Sequence, residues 1–235
     1  MAIANGNPVI GENKFTDLAP CCGQGIGPIA AAVGDKQPDN TEDGPMSQHI
    51  ATASAWLSLA GRFPFAVGPD GSGHALGIVR LGGHVEAGET PWACAQRELR
   101  EEAGLTIRPL EPPATYAIDG RCRPFQLRPT CWTGSGPTPM LVNHAGDRQA
   151  LVFLAAADGD PYPANEIRGL LLLTPEEVIR LQHQQPTLDT FLAAGGQGVF
   201  AAPPLPGHLP LVSRGPSILA LVLQRHPNLL QLLQV

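Results

Sequence analysis

Apolar and polar positions divide the chain into three stretches. Residues 1–48 show little periodicity. From about residue 50 the signals sharpen into short apolar or alternating runs separated by turn residues. Residues 55–59, 63–67, 74–81, 115–118, 124–133, 149–156 and 169–173 read as strands. The runs 149–156 and 169–173 are apolar almost throughout, the pattern of strands covered on both faces. Residues 90–103 read as a helix. Thr174-Pro175-Glu176-Glu177 opens another, with Thr as cap, Pro in the first position and acids in the first turn. Strands interleaved with helices indicate a mixed α/β or α+β domain. Beyond residue 185, residues 187–194, 217–226 and 227–234 read as short helices, and their leucines suit packing on the domain or on a second copy. The expected organisation is a flexible Gly/Pro-rich tail over 1–48, a mixed α/β domain over 49–185 and a helical extension over 186–235.

The helix at 90–103 carries the chemistry. Thr90 caps it, Pro91 occupies its first position and Gly104 stops it. At 100° per residue, Trp92, Ala95, Leu99 and Ala103 share one face, which should be buried. Glu98, Glu101 and Glu102 fall at i, i+3 and i+4 and line an adjacent face. Three carboxylates on one stripe repel each other and add nothing to an isolated helix. Hard divalent cations want clustered oxygens, and the glycines before the helix let backbone approach a ligand. A solvated acidic face is the plain alternative for such a stripe taken alone.

Composition narrows the partners. There are 27 Gly and 25 Pro, over a fifth of the 235 residues, so loops and tails are extensive. In residues 1–48, two Lys against six Asp or Glu leave −4, with too little apolar surface to offset ordering entropy. The whole-chain charge of −6 argues against a nucleic-acid-binding protein, because neutralising phosphates takes Lys and Arg. A cation-assisted enzyme acting on small anions remains compatible with it. Cys21, Cys22, Cys94, Cys122 and Cys131 are odd in number and lack zinc spacing, which suits a reduced, cytoplasmic chain. The longest apolar run, 150–157, has eight residues against the roughly 18 of a membrane span, and no secretory-signal pattern opens the sequence.

The stretch from Gly83 to Leu105 resembles the Nudix box, G-x5-E-x7-R-E-U-x-E-E-x-G-U with U apolar. Gly83, Glu89, Arg97, Glu98, Leu99, Glu101, Glu102, Gly104 and Leu105 fill every specified position. Seven fixed residues give a chance match on the order of 10⁻⁹ per start position. The resemblance covers roughly residues 50–185. It implies a Nudix-like α/β/α sandwich with a mixed β-sheet, and hydrolysis of a nucleoside diphosphate linked to another moiety. It makes Glu98, Glu101 and Glu102, with the Gly82 carbonyl, ligands of Mg²⁺, or of Mn²⁺ instead. Glu98 or Glu101 also becomes a candidate to orient or deprotonate the attacking water, while Arg97 and Glu89 pair to fix the glutamates. The family often adds a carboxylate from a later loop. Glu166 is the leading candidate, ahead of Asp158 and Asp160, with a solvated loop acid as the plain reading.

Other residues are assigned more simply. His84 reads as loop surface, Cys94 as helix packing, and His74, His144, His183, His208 and His226 have no ligand spacing. Trp132, Phe125 and Tyr116 serve the core or stack on a base. Sequence cues for coenzyme A, dinucleoside polyphosphate and NADH substrates are missing, and the proline associated with ADP-ribose enzymes is not at its usual place, where Arg121 stands. A sugar nucleotide or ADP-ribose-like compound is the leading substrate class, with nucleoside triphosphates second. The competing class is a non-catalytic Nudix-like nucleotide-binding module. A homodimer through the C-terminal apolar segment is the open question of assembly.

Overall fold

The structure, a computed structural model, describes residues 49–122 and 124–233; the expected N-terminal tail lies outside them. The elements in chain order are β1 (His49–Leu57), β2 (Phe63–Pro69), β3 (Leu76–Val79), β4 (Gly82–His84), α1 (Pro91–Ala103), β5 (Thr106–Leu110), β6 (Thr115–Asp119), β7 (Arg128–Thr130), β8 (Leu141–Ala145), β9 (Arg148–Asp158), β10 (Gly169–Leu173), α2 (Pro175–Arg180), α3 (Leu188–Ala193), β11 (Gln197–Phe200), β12 (Leu211–Ser213), α4 (Pro216–Arg225) and α5 (Leu229–Leu232).

The strands form two sheets. The larger runs β4–β1–β9–β8–β6–β7, and β5 joins the far end of β9 beside β8. Its β1/β9 and β6/β8 pairs are parallel and the others antiparallel, so it is the mixed sheet expected. One face carries α1. Ala53, Ala55 and Leu57 of β1 and Leu151, Phe153 and Ala155 of β9 pack there with Cys94, Ala95, Leu99 and Ala103. The opposite face, with Trp56, Tyr116, Ile118, Leu141, Val152 and Leu154, closes against the second sheet and the later helices. The result is the mixed α/β/α sandwich that the sequence indicated.

The second sheet, β11–β10–β2–β3–β12, goes beyond that expectation. The sequence of residues 186–235 predicts helices alone, yet this stretch also supplies the sheet's two edge strands. Leu211, Val212 and Ser213 run parallel to Leu76, Gly77 and Ile78. The apolar face of α4, Ile218, Leu219, Ala220, Val222 and Leu223, sits in the same core as the sheets. Docking on the parent fold is thus where those leucines go, each fully buried one contributing about 1.5–3 kcal/mol. The strand read over 124–133 shrinks to Arg128–Thr130. Pro124 lacks a ladder donor, and residues 124–127 form a loop instead.

Candidate active site

The helix α1 begins and ends as its sequence dictates. Thr90 accepts from Ala93 N, Pro91 takes the first position, and Gly104 closes the helix at φ 68, sending its N–H to the Arg100 carbonyl. Ala95, Leu99 and Ala103 are fully buried. Trp92 stands at the border of that face, edge-on to Phe153 at 5.2 Å. The acidic stripe is not a solvated face. Glu98 is 7% exposed and Glu102 only 2%; Glu101 is exposed.

Buried carboxylates need partners, and Arg97 and the glycine strand provide them. Arg97 grips Glu89 with two parallel bonds, Nε to Oε1 and Nη2 to Oε2, each 3.0 Å. Its Nη1 donates to Glu98 Oε1 at 2.9 Å and to Glu101 Oε2 at 3.3 Å, and Nη2 also reaches the His84 carbonyl at 3.1 Å. Glu102 Oε2 accepts from Gly82 N at 2.8 Å. Arg97 holds the Glu89 carboxyl below its usual range, and the two acids keep the guanidinium more firmly protonated than usual. Gly83 faces the Glu98 carboxylate so closely that a Cβ there would overlap it. A larger residue there would push the Glu98 carboxylate aside.

Glu166 lies on the exposed part of the loop between β9 and β10. That loop is tied to the end of α1: Tyr162 N donates to the Ala103 carbonyl at 3.1 Å and Ala164 N to the Glu102 carbonyl at 3.0 Å. Glu166 is therefore two residues from a direct link to Glu102. Asp158 ends β9, paired in register with Thr106, and Asp160 follows it. Cys94 is buried under the box loop, its Sγ 3.2 Å from the His84 carbonyl, and burial pushes the thiol up to about 12. It is a neutral packing group, as its sequence position suggested. Tyr116 faces the core away from α1, with its hydroxyl 2.7 Å from His226 Nε2, and Phe125 packs against that same core. Trp132 packs on the α1 side.

Among the described residues no three His, Cys, Asp or Glu side chains converge on one point as metal ligands. Glu98 and Glu101 turn to Arg97, and Glu102 to Gly82 N–H. The donor chemistry nevertheless fits a hard divalent cation: three carboxylates within five residues of one helix, beside a backbone that only glycine allows. An open cavity of about 380 Å3 lies between the loop before β7 and the paired strands β6 and β8. Of its polar lining, Asp119, Cys122, Gln126 and Arg128 come from residues 119–128, and His144 is brought in by the β6/β8 pairing.

The family model described as NUDIX domain matches residues 71–194, just over half of the chain. The chain belongs to the Nudix family. It is a Nudix-type hydrolase acting on phosphoanhydride bonds, a metal-dependent pyrophosphohydrolase of nucleotide-like substrates. Solved Nudix structures similar to it include a hydrolase from Clostridium perfringens, 16% identical, covering 63% of this chain and 94% of that one, TM-score 0.40. A MutT NUDIX hydrolase from Burkholderia pseudomallei is 19% identical over 63% of this chain and 97% of its own, TM-score 0.36. The E. coli ORF135 protein is 22% identical over 58% and 83%, TM-score 0.39. No curated protein matches the chain in sequence. None of the described helices is long and apolar enough to cross a membrane.

Proposed function

We propose that this Nudix chain hydrolyses the diphosphate bond of a nucleoside diphosphate joined to another moiety, with sugar nucleotides and ADP-ribose-like compounds ahead of nucleoside triphosphates. The observation that carries this reading is the ordered carboxylate set. Arg97 gathers Glu89, Glu98 and Glu101 on one guanidinium, while Glu102 is buried on the Gly82 N–H. In this reading Glu98, Glu101 and Glu102 with the Gly82 carbonyl hold Mg²⁺, which supplies charge neutralisation for the diphosphate and acidifies water. Glu98 or Glu101 accepts a proton from the attacking water. Its oxygen bonds to one phosphorus as the bridging P–O bond breaks and the other phosphate leaves with the bond pair. Arg97 and Glu89 keep the acceptors in place, and Glu166 is a further carboxylate available from the tied loop.

The test is phosphate-product release from nucleotide sugars, ADP-ribose, dinucleotides and nucleoside triphosphates, with and without Mg²⁺. Glu102→Gln should leave the melting temperature near wild type and lower turnover about 10²-fold or more. A folded variant with unchanged turnover would refute the assignment. Nucleotide binding without any turnover would favour a sensing module instead.

A further inference from the structure

Arg80 stands between β3 and β4, two residues before Gly82. Its stem is pinned where α4 begins: a Cβ on Gly215 would come within 3.2 Å of Arg80 Cγ and 2.7 Å of its backbone N. Its Nε donates to Ser54 Oγ at 3.3 Å, and that hydroxyl donates in turn to the Leu151 carbonyl at 3.4 Å. A guanidinium carries five N–H donors. The remaining four, on Nη1 and Nη2, meet no acceptor among the described residues, and they are not sealed from solvent. No carboxylate pairs with Arg80 there either. Arg62, Arg97 and Arg214 are part-buried like it, and each meets a carboxylate, at 3.4, 3.0 and 3.8 Å. A part-buried cation without a counter-ion costs stability, and an anion arriving from outside removes that cost.

The contact with Ser54 sets Arg80 against the box. Ser54 is the register partner of Gly82, and the two touch so closely that a Cβ on Gly82 would overlap the Ser54 side chain. Side chains alternate between the two faces of a strand. Ala53 and Ala55 pack on the α1 side and Trp56 in the opposite core, so Ser54 lies on the face away from α1. Glu102 of α1 reaches the N–H of the same Gly82 at 2.8 Å. β4 is the outermost strand of its sheet. At that edge Gly82 is flanked by the acidic helix on one side and by Ser54 with its guanidinium on the other.

We propose that Arg80 binds a phosphate of the substrate at this edge, on the side of Gly82 away from the glutamates of α1. This rests on the hydrolase reading for the position of the diphosphate. A guanidinium presents parallel N–H groups that match two phosphate oxygens, and those of Nη1 and Nη2 are available for it. Charge gathers on the leaving phosphate as the bridging P–O bond breaks, and a fixed guanidinium beside it favours that step as well as binding.

Calorimetry of inorganic pyrophosphate on the full chain, in metal-free buffer, reads this site apart from catalysis. Arg80→Gln should weaken pyrophosphate about tenfold or more. Its melting temperature should stay at or above that of the wild type, because an uncompensated charge is gone; a cation kept for structure would lower it. Arg148→Gln, at an exposed position, should change the affinity by less than about twofold, since distant surface charges are screened. Arg80→Met serves in the same way where Arg80→Gln does not fold, and failure of both to fold would make Arg80 structural and overturn the proposal. Equal affinity in wild type and Arg80→Gln, no metal-free binding to the wild-type chain, or an equal loss from Arg148→Gln would overturn it too. Arg80-dependent pyrophosphate binding in a chain that hydrolyses nothing would uphold it while rejecting the hydrolase reading. Glu102-dependent turnover with KM and kcat unchanged in Arg80→Gln would do the reverse.

Discussion

At the residue scale Arg97 shows why this position tolerates no other cation. A planar guanidinium presents five N–H donors in a fixed fork. Here that fork serves Glu89 in parallel and also reaches Glu98, Glu101 and the His84 carbonyl. A lysine ammonium has three donors and no fork, so it would leave part of this set unpaired. The pairing has a consequence for acid stability. The Glu89 carboxyl, ordinarily near 4.5, is lowered in the folded chain chiefly by its bond from Arg97. A carboxyl depressed on folding adds stability that is fully present above its unfolded value and lost as pH falls through the folded one. Melting temperature should therefore decline as pH drops below about 4.5, and Glu89→Gln should flatten that part of the profile. Identical profiles for the two proteins, followed by circular dichroism, would contradict the assignment. The Arg97 cluster was legible in advance because all its members lie within one contiguous motif. The pairing of His144 with Asp119 was not, since no spacing along the chain announces which strand will lie beside which.

At the element scale, α1 was readable from its ends inward. Thr90, Pro91 and Gly104 each act through local backbone chemistry, which depends on neighbours in sequence alone. The same holds for α2, where Thr174 and Glu177 exchange hydrogen bonds in a complete capping box. The strands that escaped notice share the opposite property. β4 is a glycine pair and a histidine, β5 carries Pro109, β8 is interrupted by Asn143 and His144, and β11 and β12 are short. None has a strong period of its own; each is a strand because a longer neighbour offers it a ladder. Gly104 joins the two kinds of order. Its φ of 68 ends α1, and the Tyr162 ring packs where a Cβ would stand. Gly104→Ala should lower unfolding free energy by about 1–3 kcal/mol, measured from the urea midpoint. It should also loosen the loop that leads to Glu166, so turnover should fall together with stability. A neutral effect on the midpoint would mean that the cap is not under the constraint described.

At the scale of the whole molecule, the box depends on both ends of the described chain. β3 runs directly into Gly82, and its neighbours are β2 on one side and β12 on the other. At the far end of α4, Arg225 lies over the Tyr116 ring at 5.2 Å and reaches the Leu127 carbonyl at 3.4 Å, so this helix also braces the loop that walls the cavity. Removal of residues 200–235 should therefore give insoluble or unfolded protein rather than a trimmed enzyme, judged by soluble yield and gel filtration. A soluble, equally stable monomer would place the extension outside the folding unit. The pairing of β12 with β3 also orders events in time. A ribosome emits the box long before it emits Leu211. Until then β3 has an open edge, the core lacks α4, and the motif that reads so clearly in the sequence has no finished support. A chain that stops before Leu211 can thus contain every residue of the box and still be silent.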